Sequence, residues 1–261
     1  AEAVHLHARD AAGGESLAAA DIGPAVAAVR AACPGTGVGV STGLWVTGGD
    51  PRARRAAVAG WAGLDDAARP DFASVNVSET GWTQLIAALH GAGIEVEAGV
   101  WSVADARALA AFRPGDRLAR VLVEISGGTA ETAIDRADQV LAELDRTGAP
   151  EPVLLHGDED ACWPLVGHAG ALGLTSRIGL EDTLTGRTAR RSPATPSWSG
   201  SAWPPGARPC PGRRLAERTL QETRVPAGGI SRKRQKARSI KATDRSEGSP
   251  ARLAVSSAKF V

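Results

Sequence analysis

Three features of the chain predict an α/β fold of the (β/α)8 barrel type, followed by a segment of a different kind. Short apolar runs recur about every 23 to 34 residues with helical patterns between them. One side of each run is aliphatic and the other largely polar. Near residue 184 the composition changes abruptly.

The runs are AVHLHA (3–8), VGVST (38–42), FASVNV (72–77), EVEAGV (95–100), RVLVEI (120–125), VLLHG (153–157) and RIGLE (177–181). Their length and aliphatic content suit strands, and the Ala- and Leu-rich segments between them carry helix signals. Ser78 is placed to cap a helix over 79–91 that ends at Gly91 and Gly93, Ser102 to cap 103–112, and Thr129 to open 130–147 before Gly148. Strand alternating with helix implies parallel strands joined by crossovers, in a doubly wound sheet or a barrel.

Successive residues of a strand face opposite ways, so each run divides by parity. One face holds Val4, Leu6, Val38, Val40, Val75, Val77, Val96, Ala98, Val121, Val123, Ile125, Val153, Leu155, Ile178 and Leu180. The other holds His5, His7, Gly39, Ser41, Ser74, Asn76, Glu95, Glu97, Leu122, Glu124, Leu154, His156, Arg177, Gly179 and Glu181. Helices cover both faces of a doubly wound sheet, which requires both to be apolar. The inner face of a barrel instead lines the active site near the carboxyl ends of the strands. The polar face therefore favours the barrel. Seven strands are visible and the first begins beside Ala1, so the expectation is a (β/α)8 barrel missing its first βα unit and last helix. A gap should separate the first and last visible strands.

Residues 1–183 contain 13 Lys plus Arg and 25 Asp plus Glu, a net of −12; residues 184–261 contain 17 and 4, a net of +13. The formal +1 of the whole chain is a cancellation. The second part is rich in Arg, Pro, Ser and Gly and buries too little apolar surface to offset the entropy of ordering. The expected organisation is an incomplete catalytic domain over 1–185 and a basic, disordered tail over 186–261, of the kind a reading-frame shift produces. The tail's run SRKRQKAR (231–238) attracts phosphates by charge alone and lacks interleaved aromatics, so no specific nucleic-acid partner is expected. Cys33, Cys162 and Cys210 lack paired spacing, no signal-peptide pattern is present, and no apolar run reaches the roughly 20 residues that span a bilayer. These features point to a cytoplasmic protein without membrane attachment. Unpaired edges at the first and last strands are compatible with a homo-oligomer and are also an aggregation liability.

His5 and His7 leave one strand face roughly 7 Å apart along the chain, close enough to meet on one ion. A carboxylate from a neighbouring strand completes a site that keeps a position open for substrate, and Glu181 has the parity and level to supply it. The competing reading is two histidines held by ordinary hydrogen bonds, since HxH is a common chance match. Arg177 shares a strand with Glu181, and Asp182 follows; the two are either an ion pair or part of an acid–base centre. Ser41, Thr42 and Gly43 end a strand with hydroxyls and backbone N–H groups suited to a carboxylate or oxyanion. Ser74, Asn76 and Glu97 add polar groups on the inner face, with Glu95, Glu124 and His156 expected behind them. Trp45, Trp82, Trp101 and Trp163 are expected mostly to serve packing.

Together these residues resemble the β-keto acid cleavage enzymes, the family of 3-keto-5-aminohexanoate cleavage enzyme. HLHARD (5–10) resembles the family's metal motif, VGVSTG (38–43) its substrate-carboxylate loop and SVNVSE (74–79) its SxN strand; EVEAGVW (95–101), LLHG (154–157) and RIGLEDTL (177–184) follow in the same order. The resemblance covers residues 1–184 and implies a (β/α)8 barrel with zinc held by His5, His7 and Glu181. It implies an exchange in which a β-keto acid and acetyl-CoA become acetoacetate and a new acyl-CoA. Arg177 with Asp182 would form the base system, while Ser41, Thr42, Gly43, Ser74, Asn76 and Glu97 would hold substrate. The family's first strand and helix, and its LPDG-type turn and final helix, have no counterpart here. A metal-dependent barrel hydrolase is the alternative enzyme class, and nucleic-acid binding through the tail a non-enzymatic one.

Overall fold

A computed structural model of the protein describes residues 2–112, 118–149, 152–186 and the backbone of 258–260. Strands β1 (Ala3–Leu6), β2 (Gly37–Ser41), β3 (Phe72–Asn76), β4 (Glu95–Val100), β5 (Leu118–Ile125) and β6 (Val153–Gly157) pair in parallel and in sequential order. Between or after them run α1 (Ala19–Ala32), α2 (Pro51–Ala59), α3 (Trp82–Gly91), α4 (Val103–Phe112), α5 (Ala130–Thr147) and α6 (Glu159–Leu172). The result is a partial (β/α)8 barrel. The expected gap beside β1 is filled. Ala258–Phe260 forms β8, antiparallel to both β1 and β7 (Ile178–Gly179), giving the order β6-β5-β4-β3-β2-β1-β8-β7. Edges with unpaired N–H and C=O groups are templates for an added strand. The rest of the expected disordered tail, from 187 to 257, lies outside the described residues.

Local chemistry accounts for the helix ends. In α5, Thr129 and Thr132 form a reciprocal capping box, and Gly148 closes the helix at φ 63°. Asp50 caps α2 by accepting from the N–H groups of Arg52 and Ala53, with Pro51 in the first turn where a missing N–H costs nothing. Ser102 accepts from the Asp105 N–H at the start of α4. Ser78 does not cap α3, which starts at Trp82 after Gly81 in the left-handed region, because Glu79 turns back toward α2.

The aliphatic face of the strands is buried against the helices: Leu6, Val38, Val40, Val75, Val96, Val121, Val123, Ile125 and Leu155 belong to one continuous core. Leu180 departs from this pattern and is exposed, because β7 ends at Gly179 and the chain turns. The opposite face stacks in register across the barrel. Ser41, Ser74, Glu97 and Arg120 form one row; Asn76, Gly99, Leu122 and Leu154 form the next; Glu124 pairs with His156 above them. A register shift after Val96 brings Arg120 opposite Glu97, the re-aiming that bulges commonly perform. Gly39 lies below this row, where the Phe72 ring occupies the space a Cβ would need. Among the described residues no helix is long and apolar enough to cross a membrane.

The loop after β2 is held by a buried cation. Arg54, fully buried on α2, pairs with Glu79 and donates to the carbonyls of Thr80 at 2.7 Å and Thr42 at 3.3 Å. Glu79 also accepts from the Leu44 N–H at 3.2 Å and from the Asn76 amide at 3.0 Å. One carboxylate thus ties the ends of β2 and β3 to α2. Two outcomes follow. Gly39→Ala is expected to cost about 1–3 kcal/mol through overpacking, with Phe72→Leu in the same chain recovering most of the loss; an unchanged urea midpoint for Gly39→Ala alone would refute the close packing. Glu79→Ala is expected to cost roughly 3 kcal/mol by leaving Arg54 buried without its charge partner, and a loss below about 1 kcal/mol would show that the carbonyls alone satisfy it.

Candidate active site

β1 delivers His5 to the barrel interior and His7 to the first position beyond the strand end. Both are nearly buried, at 2% and 7% exposure, with ring centroids 5.4 Å apart. Glu181 arrives from the turn after β7. Its Oε1 lies 3.2 Å from His7 Nε2, and ligand atoms of His5, His7 and Glu181 all fall within 4.8 Å of one another. Glu181 is therefore a turn residue rather than the strand residue its parity suggested. The turn forms because the Asp182 carboxylate accepts from the Gly179 N–H at 2.8 Å while the Asp182 and Thr183 N–H groups return to the Gly179 carbonyl. Burial, the largest influence on His7, opposes its charge, but the carboxylates of Glu181 and Glu15 outweigh it and raise its pKa above the ordinary histidine value.

Beneath this trio lies a network of buried charges. Glu97, with no exposed surface, accepts from Arg120 Nε at 2.5 Å and from Arg177 Nη1 at 3.1 Å, and its Oε1 stands 3.9 Å from His5 Nδ1. Arg120 lies over the Phe72 ring, its guanidinium carbon 4.5 Å from the centroid. Arg177 Nη2 stands 3.9 Å from Glu124. His156, fully buried, sits between Glu124 at 3.7 Å and Asp182 Oδ1 at 3.4 Å. The pairs therefore cross: Arg177 reaches Glu97, and Asp182 stands beside His156. Glu95, expected behind the inner residues, is exposed at the start of β4.

The predicted substrate-holding groups lie on β2, β3 and β4 or just past the end of β2, several already engaged. Ser41 Oγ accepts from the Gly43 N–H at 3.3 Å, the Thr42 hydroxyl donates to the Ser74 carbonyl, and Asn76 donates to Glu79. Ser74 is half-buried in the row with Glu97. Trp45 folds over Gly43, where a Cβ would strike its ring. It is 52% exposed and stacks on His7 at 6.2 Å, so it belongs to the mouth and not to the core packing expected of it. Among the described residues the fully buried tryptophan is Trp61, whose Nε1 donates to the Leu17 carbonyl.

Four charged residues of this region escape a reading by strand runs. Arg54, Glu79 and Glu15 come from a helix and loops, which carry no strand parity. Arg120 shares parity with Leu122 and Glu124, so extending the inner face by one residue would have found it.

Comparison with known proteins follows the same lines. No curated protein matches the chain. Among solved structures, the apo form of ObcA superposes with a TM-score of 0.59 at 16% identity, covering 85% of this chain and 58% of that one. A ternary complex of ObcA with a C4-CoA adduct and oxalate gives 0.56 at 15% identity, and a binary complex with oxaloacetate gives 0.56 at 16%, each covering 85% of this chain and 60% of the ObcA chain. This likeness is one of fold, and the chain spans about three-fifths of the length of those proteins. The sequence itself matches the family description "beta-keto acid cleavage enzyme" over residues 1–196, and the chain belongs to that family.

Proposed function

We propose that this chain carries the site of a zinc-dependent β-keto acid:acetyl-CoA exchange, R–CO–CH2–COO⁻ plus acetyl-CoA giving R–CO–CoA plus acetoacetate. The observation that carries the reading is the convergence of His5, His7 and Glu181 within 4.8 Å where parallel strands end. Two imidazoles and one carboxylate are a donor set that suits zinc and leaves a position for substrate. Zinc held there would polarise the substrate's keto oxygen.

The remaining work falls to side chains of the chain. Asp182 is the group to take a proton from the carbon between the keto and carboxylate groups, with His156 at 3.4 Å to share the charge it loses or gains. Arg177, held by Glu97 through Nη1, offers a fixed cation to the developing enolate and to the substrate carboxylate. Ser41, Thr42, Gly43, Ser74 and Asn76, at or near the ends of β2 and β3, would hold the carboxylate end, which requires substrate to take over hydrogen bonds that Thr42, Gly43 and Asn76 make within the chain. The enolate carbon then bonds to the acetyl carbonyl and CoA thiolate leaves; its attack on the original keto carbon breaks the bond from that carbon to the former CH2 carbon, and the acetoacetate enolate so released takes back the proton from Asp182. The family supports the β-keto acid class. The ObcA complexes, which contain oxaloacetate (itself a β-keto acid) and a CoA adduct, show the fold accommodating both kinds of reactant in that protein.

The test uses acetyl-CoA labelled in both acetyl carbons and a panel of β-keto acids. Exchange places the label at C3 and C4 of acetoacetate, and Asp182→Asn is expected to slow its appearance on the order of 10²–10⁴-fold. Labelled acetate without labelled acetoacetate would instead assign a hydrolase.

A further inference from the structure

We propose that Glu15 is the positioning residue of the metal centre: its carboxylate holds Nδ1 of His7 so that Nε2 is presented to the ion. The inference rests on His7 being a metal ligand and adds Glu15, a residue that lies outside the sequence motifs. His7 lies one residue past the end of β1, so the strand ladder does not fix its ring. The chain supplies a separate device.

Asp10 Oδ1 accepts from the N–H groups of Ala12 and Gly14, both at 2.9 Å, and Gly13 takes φ 88°, closing a tight turn. The turn folds the chain back on itself. Arg9 and Glu15 form an antiparallel bridge, and the Ser16 N–H returns to the Ala8 carbonyl at 2.9 Å. Glu15 Oε2 thereby comes to 3.2 Å from His7 Nδ1.

The carboxylate is itself held. Trp45 Nε1 donates to the same Oε2 at 2.8 Å, and Arg9 stands 3.9 Å from Oε1. The Trp45 ring lies against His7, nearly parallel at 19°. The imidazole is thus gripped by a carboxylate on Nδ1 and an indole on its face, while Nε2 looks toward Glu181. A carboxylate on the far nitrogen fixes tautomer and ring orientation and makes the ligating nitrogen more basic. His5 has the corresponding acid in Glu97, 3.9 Å from its Nδ1.

The test measures zinc affinity of the full chain by competition with a chromophoric chelator, and the cobalt(II) ligand-field spectrum, for the parent, Glu15→Ala, Glu15→Gln and the His5→Ala, His7→Ala double variant. Glu15→Ala is expected to bind zinc 10–100-fold more weakly than the parent, with the metal-free melting temperature unchanged. Glu15→Gln keeps an oxygen that accepts from Nδ1–H, so it should recover most of the affinity and the parent's cobalt spectrum. Parent-like affinity and spectrum in Glu15→Ala, while the double variant loses the metal, would overturn the role of Glu15 and leave the metal site standing. A parent that binds no more zinc than the double variant would overturn the metal site, and this inference with it.

Discussion

The carboxylate of Glu97 is the interaction on which the interior of this barrel depends. It has no exposed surface and would be untenable there alone, yet guanidinium groups from β5 and from the segment entering β7 hold both its oxygens. Arg120 comes into register with it through a shift in the β4–β5 pairing, and Arg177 reaches it from the residue just before β7, a strand bonded to neither β4 nor β5. The network therefore ties the middle of the sheet to its last strand through the barrel axis. It also fixes the floor under His5 and brings Arg177 beneath the mouth.

Above that floor the division of labour follows from parallel-strand geometry. The outward face is aliphatic and packs under the helices, which leaves the inward face free to carry polar groups in successive rows. At the carboxyl ends the strands stop and loops take over. Short loops hold their shape here through side chains that bond backbone: Asp182 on Gly179, Asp10 on the 10–14 turn, and Glu79 on Leu44. Asp182 shapes the turn that carries Glu181, while β1 itself carries His5 and the turn closed by Asp10 brings Glu15 to His7.

Much of this was legible in the sequence because two signals were unusually regular. Alternating strand and helix, and parity within each strand, located the barrel and most inward-facing residues, including Glu97 and His156. The motifs resembling β-keto acid cleavage enzymes pointed to a family that the comparison over residues 1–196 supports. What escaped lies where periodicity has nothing to say. Glu15 sits in a loop and Trp45 in a short 3-10 helix (Leu44–Thr47), and the pairing of Arg120 with Glu97 depends on a bulge. The end of β7 at Gly179 depends on one side-chain cap, and β8 comes from a stretch whose composition argued against any strand.

The proposed function requires the barrel mouth to hold one metal ion on His5, His7 and Glu181. The most direct measurement is zinc content per chain of monodisperse protein purified with added zinc, beside a His5→Ala, His7→Ala double variant. About one zinc in the parent and none in the variant is the predicted result. Equal zinc in both, or none in a folded parent, would contradict it.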